Sequence, residues 1–179
     1  MSNEPWQIGE IAGPKKALII TKPSVVVGMV KKAKRTLMVV GHQTAEIDLG
    51  EENAIDYMIK MADRFKIPIV ATANAVSEFV ERNYPISWMS AMDIGNRLQD
   101  PEWEGLDGKG QYDLVLFIGI PYYMEWTILS GLKHTAPNLK TISLDRYYHP
   151  HASWSFSNIK IDEWVTYLKT ITGQIEEIA

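Results

Sequence analysis

The sequence contains no cysteine, so the chain forms no disulfide and offers no thiolate to an iron–sulfur cluster or a zinc site. Any such centre has to belong to a partner. It also lacks a basic surplus: 18 Lys plus Arg stand against 22 Asp plus Glu, a formal charge of −4. Nucleic-acid and anionic-membrane binders need excess positive charge to displace counterions, and both classes are excluded as first readings. Long apolar runs are missing. The longest, residues 114–124, is broken by Gly and Pro and falls short of the ~20 residues that span a bilayer. Residues 1–16 hold Glu, Asn, Gln and two Pro where a signal peptide requires an unbroken apolar stretch, so the sequence predicts a cytoplasmic protein.

What is present is ordinary for a folded chain: 46% hydrophobic and 22% charged residues over a length of 179. That length predicts a single domain able to bury roughly 70% of its unfolded surface. A single α/β domain over 1–179 is expected, with the aperiodic residues 1–16 as an N-terminal arm. Pro23 followed by Val25, Val26, Met29, Val30 and Ala33 predicts a short amphipathic helix. Residues 36–41 are apolar and β-branched, as in a strand covered on both faces. Ala54, Ile55, Met58, Ile59, Ala62 and Phe65 recur at helical spacing from about residue 50, and residues 67–72 read as a second strand. Asn74 then reads as the cap of a helix through Phe79 and Val80.

Turn residues interrupt the pattern over 83–110, around one short helix at 90–98. Strands are predicted again at 112–119 and 140–145 with a helix at 121–134 between them, and a short strand at 158–160. Asp162 reads as the cap of a terminal helix that turns Trp164, Val165, Leu168, Ile171 and Ile175 inward. Alternating strands and helices predict an α/β fold: a three-layer, Rossmann-like parallel sheet.

Right-handed crossovers place the carboxyl ends of such strands along one rim, where ligands bind. The rim loops supply the candidate cofactor-binding residues Gly41, His42, Gln43, Thr44, Thr72, Ala73, Asn74, Gly119, Pro121, Tyr122, Asp145 and Arg146. Gly41 and Gly119 directly follow apolar strands and would let a ligand approach the backbone. Thr44, Thr72 and Asn74 suit a pyrophosphate or another anion at helix starts, or else simply cap helices. Asp145 with Arg146 suits a ribose or adenine edge, or forms a solvated loop pair.

Neither the G-x-G-x-x-G dinucleotide fingerprint nor a Walker pattern is present, which argues against ordinary NAD dehydrogenases and P-loop ATPases. His149 and His151 flank Pro150 in what reads as a surface loop, with no Cys or carboxylate pattern beside them, so no metal ligand is assigned. His42 has no Ser or Cys nucleophile to partner it, and no catalytic residue is assigned. Trp6, Tyr84, Trp88, Trp103, Tyr122, Tyr123, Trp126, Tyr147, Tyr148 and Trp154 fall mostly in loops and helix starts; some must be core, and with Met89 and Met92 the set suits a partner-binding surface at least as well as a solvent-facing one.

Several segments are familiar as a set. Lys31-Lys32-Ala33-Lys34-Arg35, Thr36-Leu37-Met38-Val39-Val40-Gly41, Arg64-Phe65-Lys66, Ile67-Pro68-Ile69-Val70-Ala71-Thr72 and Tyr112-Asp113-Leu114-Val115-Leu116-Phe117-Ile118-Gly119 resemble the central domain of thiamine-diphosphate enzymes. That resemblance implies a DHS-like NAD/FAD-binding fold, a six-stranded parallel sheet whose rim binds the ADP part of FAD in some members. More narrowly, Asp100-Pro101-Glu102-Trp103-Glu104-Gly105-Leu106-Asp107-Gly108, Tyr112-Asp113 and Ser155-Phe156-Ser157-Asn158-Ile159 resemble the epsilon-subunit family of archaeal acetyl-CoA decarbonylase/synthase, over most of the chain from Lys22 onward.

This second resemblance implies an alpha-two epsilon-two assembly with a carbon monoxide dehydrogenase alpha subunit. Alpha carries the nickel–iron–sulfur centre and the electron-transfer clusters. Epsilon would be an accessory that stabilises alpha or relays electrons to FAD. It implies no tightly bound cofactor, FAD as the candidate ligand of the rim, and a homo-oligomer as one state open to the isolated chain. The alternative is a stand-alone nucleotide- or flavin-binding enzyme, a remnant of a thiamine-enzyme domain; the further domains that a thiamine enzyme needs for its cofactor have no room in 179 residues.

Overall fold

A computed structural model describes residues 15–174 apart from 48, 50, 51 and 73. The arm up to residue 14, Ala73 and Ile175 lie outside the described residues. The chain runs β1 (Leu18–Ile19), α1 (Pro23–Lys32), β2 (Thr36–Val40), α2 (Ala54–Phe65), β3 (Ile69–Ala71), α3 (Ala75–Glu81), β4 (Ser87–Trp88), α4 (Ala91–Gln99), β5 (Leu114–Ile118), α5 (Tyr122–Thr135), β6 (Lys140–Ser143), β7 (Trp154–Ser155) and α6 (Ile161–Thr172). The strands form one seven-stranded sheet in the order β1-β7-β6-β5-β2-β3-β4. All of its pairs are parallel.

Side chains alternate across the central strands and divide the core in two. Met38, Val40, Leu116 and Ile118 face one way and pack under α1, α2, α3 and α6. Leu37, Val39, Val115 and Phe117 face the other way, against α4 and α5. The result is the three-layer α/β/α arrangement expected of parallel strands buried on both faces. α1 begins on Pro23, whose missing N–H costs nothing in a first turn. α2 is closed by a capping box between Asn53 and Asp56 and ends on Lys66 in the left-handed conformation.

Several sequence expectations need correcting. No strand forms at 158–160: Asn158 adopts φ +58° and its side chain accepts the Tyr148 N–H. The strand lies earlier, at β7. The two-residue edge strands β1 and β4 carry too little pattern to be legible. Lys160, not Asp162, precedes α6, and Asp162 sits in the first turn, where a carboxylate complements the helix dipole. Asn74 precedes α3 but makes no side-chain cap bond.

The step from β6 to β7 positions the site. Parallel neighbours need a crossover of about a dozen residues, usually helical. Here residues 144–153 make that passage without a helix. The segment has to lie against the protein as a helix would, and His149, Pro150, His151 and Ala152 are buried.

Candidate functional site

β2 and β5 are adjacent, yet the chain visits β3 and β4 between them, so the carboxyl ends of β2 and β5 form a topological switch point. Gly41 and Gly119 meet there. A Cβ on Gly41 would lie 2.1 Å from the Gly119 carbonyl oxygen, and one on Gly119 would lie 1.9 Å from Thr44 Oγ1. Gly41 N–H donates to Ile118 O at 2.7 Å, Gln43 N–H to Gly119 O at 2.9 Å and Thr44 N–H to Gly41 O at 3.2 Å. Thr44 is fully buried and its hydroxyl reaches Ile118 O. Gly119 N–H donates to both Asp145 oxygens, at 3.0 and 3.1 Å. The two glycines thus serve the approach of one loop to the other, and these amides are engaged within the protein.

This contact splits the rim into two clefts. The first, about 420 Å³, brings together Gln43, Gly119, Tyr122, Asp145 and Arg146 from the sequence-based set and adds Tyr147 and His149. The second, about 550 Å³, takes His42, Thr72 and Pro121 and is otherwise lined mainly by Val76, Trp88, Met89, Met92 and Met124. Gly41 and Thr44 line neither cleft. Asn74 is exposed at the start of α3.

Beneath the first cleft Asp145, from the sequence-based set, meets titratable side chains to which the sequence assigns no role. Glu125 enters from the first turn of α5 and is fully buried. Asp145 follows β6, and His149, 1% exposed, comes from the crossover. His149 Nε2 is 3.7 Å from Glu125 Oε2, and its ring lies 4.3 Å from that of Tyr122, centroid to centroid. Both Glu125 oxygens, His149 Nδ1 and both nitrogens of the buried His151 have no hydrogen-bond partner among the described residues. The buried Ser143 hydroxyl faces Glu125 and is likewise unpartnered.

Burial and the neighbouring Asp145 carboxylate push the Glu125 carboxyl well above its ordinary value. Burial pushes Asp145 up to about 6, against the opposing effects of the adjacent Glu125 carboxyl and the Gly119 N–H. Burial, with His151 nearby, pushes His149 down to about 3. At neutral pH the imidazole is therefore an uncharged lone-pair donor, and two adjacent carboxyls resist simultaneous ionisation.

His149 and His151 correct the surface-loop reading. The sequence signal for them was the helix-free span between two parallel strands, which has to be buried. Nothing in the pattern singled out Glu125, which sits among apolar residues at the start of α5.

A pyrophosphate fits this rim poorly. The amides of Gly41, Gln43, Thr44 and Gly119 are bonded internally, and the floor of the first cleft presents carboxyl groups, which repel phosphate.

Comparison with known proteins adds a further line. The family model described as CO dehydrogenase beta subunit/acetyl-CoA synthase epsilon subunit matches residues 1–172. An acetyl-CoA decarbonylase/synthase complex subunit epsilon from Methanothermobacter thermautotrophicus is 41% identical over 170 residues, covering 95% of each chain. Its counterpart from Methanothrix soehngenii is 40% identical over 157 residues, 87% of this chain and 81% of that one. A subunit epsilon 1 from Archaeoglobus fulgidus is 39% identical over 165 residues, 90% and 85% respectively.

Proposed function

Because the chain belongs to the CO dehydrogenase beta subunit/acetyl-CoA synthase epsilon subunit family, we propose that it is a non-catalytic accessory subunit of an acetyl-CoA decarbonylase/synthase complex. In this reading it docks on and stabilises the larger, cluster-bearing carbon monoxide dehydrogenase subunit, in an alpha-two epsilon-two arrangement. With no cysteine it brings no thiolate-held cluster of its own.

The observation that carries this reading is the surface at the second cleft. Trp88 is 75% exposed and Met92 44% exposed, beside Met89 and Met124 in a largely apolar hollow. A solvent-facing Trp next to adaptable Met side chains is the composition of an interface centre. The double variant Trp88→Asp, Met92→Asp should weaken association with the larger subunit at least ~100-fold, since loss of two anchoring side chains costs about 2–4 kcal/mol. The thermal midpoint of the isolated chain should stay unchanged, because both side chains already face solvent. Full retention of binding would remove this surface from the proposal.

The electron relay to FAD is the finer alternative, and the engaged rim amides do not favour it. FAD fluorescence quenching separates the two. Saturable micromolar binding with reduction by the CO-reduced partner would favour the relay. No binding, together with a less heat-stable partner when this chain is withheld, favours the structural role.

A further inference from the structure

We propose that Glu125, Asp145 and His149 form a binding site for one divalent transition-metal ion at the floor of the first cleft. The geometry comes first. One ligand atom from each residue can be chosen so that all lie within 4.8 Å of one another. Metal–oxygen and metal–nitrogen bonds of about 2.0–2.2 Å place tetrahedral ligands about 3.4 Å apart, so small side-chain rotations close the triad on an ion. The three residues come from separate elements, the first turn of α5, the end of β6 and the crossover, and they converge on one point without adjacency in sequence.

The second observation is the unmet demand of the buried groups. A carboxyl side chain with no exposure and no hydrogen-bond partner on either oxygen is expensive to bury, and Glu125 is in that position. His149 adds a buried, unpartnered Nδ1 and turns Nε2 toward Glu125. Two carboxylates neutralise a divalent ion, and an uncharged imidazole completes a mixed oxygen and nitrogen set. That set suits zinc, manganese or iron rather than calcium, which prefers six or more oxygens. Asp145 and His149 line the cleft while Glu125 lies behind them. The remaining coordination position therefore faces the cleft, as in metal sites that keep one place for water or a ligand.

The supporting shell is also in place. The Gly119 N–H holds Asp145. The Tyr122 ring covers His149 on one side, and the His149 backbone is fixed by its N–H to Ser155 Oγ at 3.0 Å. Such outer contacts orient metal ligands in advance of binding.

The test uses the full chain, stripped with chelator and titrated with Zn²⁺, then with Mn²⁺, by calorimetry and thermal melting at neutral pH. The site predicts one equivalent per chain and a rise in Tm. Glu125→Gln and His149→Gln should each raise the Kd at least ~10-fold, in keeping with the loss of a metal-site group. His134→Ala, an exposed surface histidine, should leave it unchanged. Far-UV circular dichroism of the Glu125→Gln chain checks folding, and Asp145→Asn provides a second variant should that one unfold. Absence of stoichiometric binding by the wild type, or binding that survives both ligand substitutions, would overturn the proposal and leave a carboxyl pair that shares a proton.

Discussion

Gly41 and Gly119 show how a residue type legible in the sequence can serve a different end from the one expected. Their position after apolar strands suggests room for a ligand, whereas the structure fills that room with the opposite loop. Gly119 also has φ +67°, a region that disfavours any Cβ. Gly119→Ala would place its methyl 1.9 Å from Thr44 Oγ1 and 2.5 Å from Thr44 N. Because backbone is among the clashing atoms, the strain has no flexible outlet. A loss of about 3 kcal/mol follows, seen as a fall in Tm of roughly 10 °C. Gly28 is the opposite case. It lies inside α1, and a Cβ there meets nothing within 4 Å. Gly28→Ala should therefore stabilise by about 0.5–1 kcal/mol through the helix preference of Ala, measured by urea denaturation.

At the scale of elements, the long ones were legible from their apolar period. α2 adds a capping box, and its amino end is also tied to the end of α3. Asp56 accepts the Asn53 N–H at 2.9 Å and pairs with Arg82, the residue after α3, at 2.8 Å. Burial alone would raise the Asp56 carboxyl, but the hydrogen bonds from Arg82 and the Asn53 N–H overcome it and hold the group below 3.8. A carboxyl lowered in the folded state contributes stability above its unfolded value, and that contribution is lost as pH falls through the folded value. Asp56→Ala should cost about 1 kcal/mol at neutral pH. The gap to the wild type should narrow as the pH drops below 3.8, a pattern that urea midpoints at neutral and acid pH will show or refute. The short elements were not legible. β1, β4 and β7 hold two residues each, too few for any period, and their positions are fixed by pairing with distant strands. The same gap hid the site: with β7 misplaced to 158–160, the helix-free crossover read as open loop and its histidines as exposed.

Across the whole molecule, the family-like segments fall at both ends of the sheet. The segment 100–108 packs near the amino ends of β2 and β5, where Asp107 pairs with Arg35 at 2.5 Å, the Arg35 guanidinium lies 5.0 Å from the centre of the Tyr112 ring, and Trp103 meets Tyr112. The clefts lie at the carboxyl ends. Ser155 and Asn158, in another family-like segment, hold the crossover beside the first cleft by accepting the His149 and Tyr148 N–H groups, and the site itself had to be read from contacts that link residues far apart in sequence. No helix among the described residues is long and apolar enough to cross a membrane, so the exposed Trp88 and Met92 are not part of a helical span. If they meet a protein partner, the thermodynamics of association follow from their chemistry. Apolar burial gives a negative heat-capacity change and responds little to ionic strength, whereas exposed charge pairs are screened within about 10 Å at 0.1 M salt. Titration calorimetry of this chain into the larger subunit at several temperatures should give a clearly negative heat-capacity change. The Kd should stay within roughly threefold as salt is raised tenfold, since few screened charge contacts are involved. A steep salt dependence with no heat-capacity change would instead place the contact on charged residues, away from the Trp88 surface.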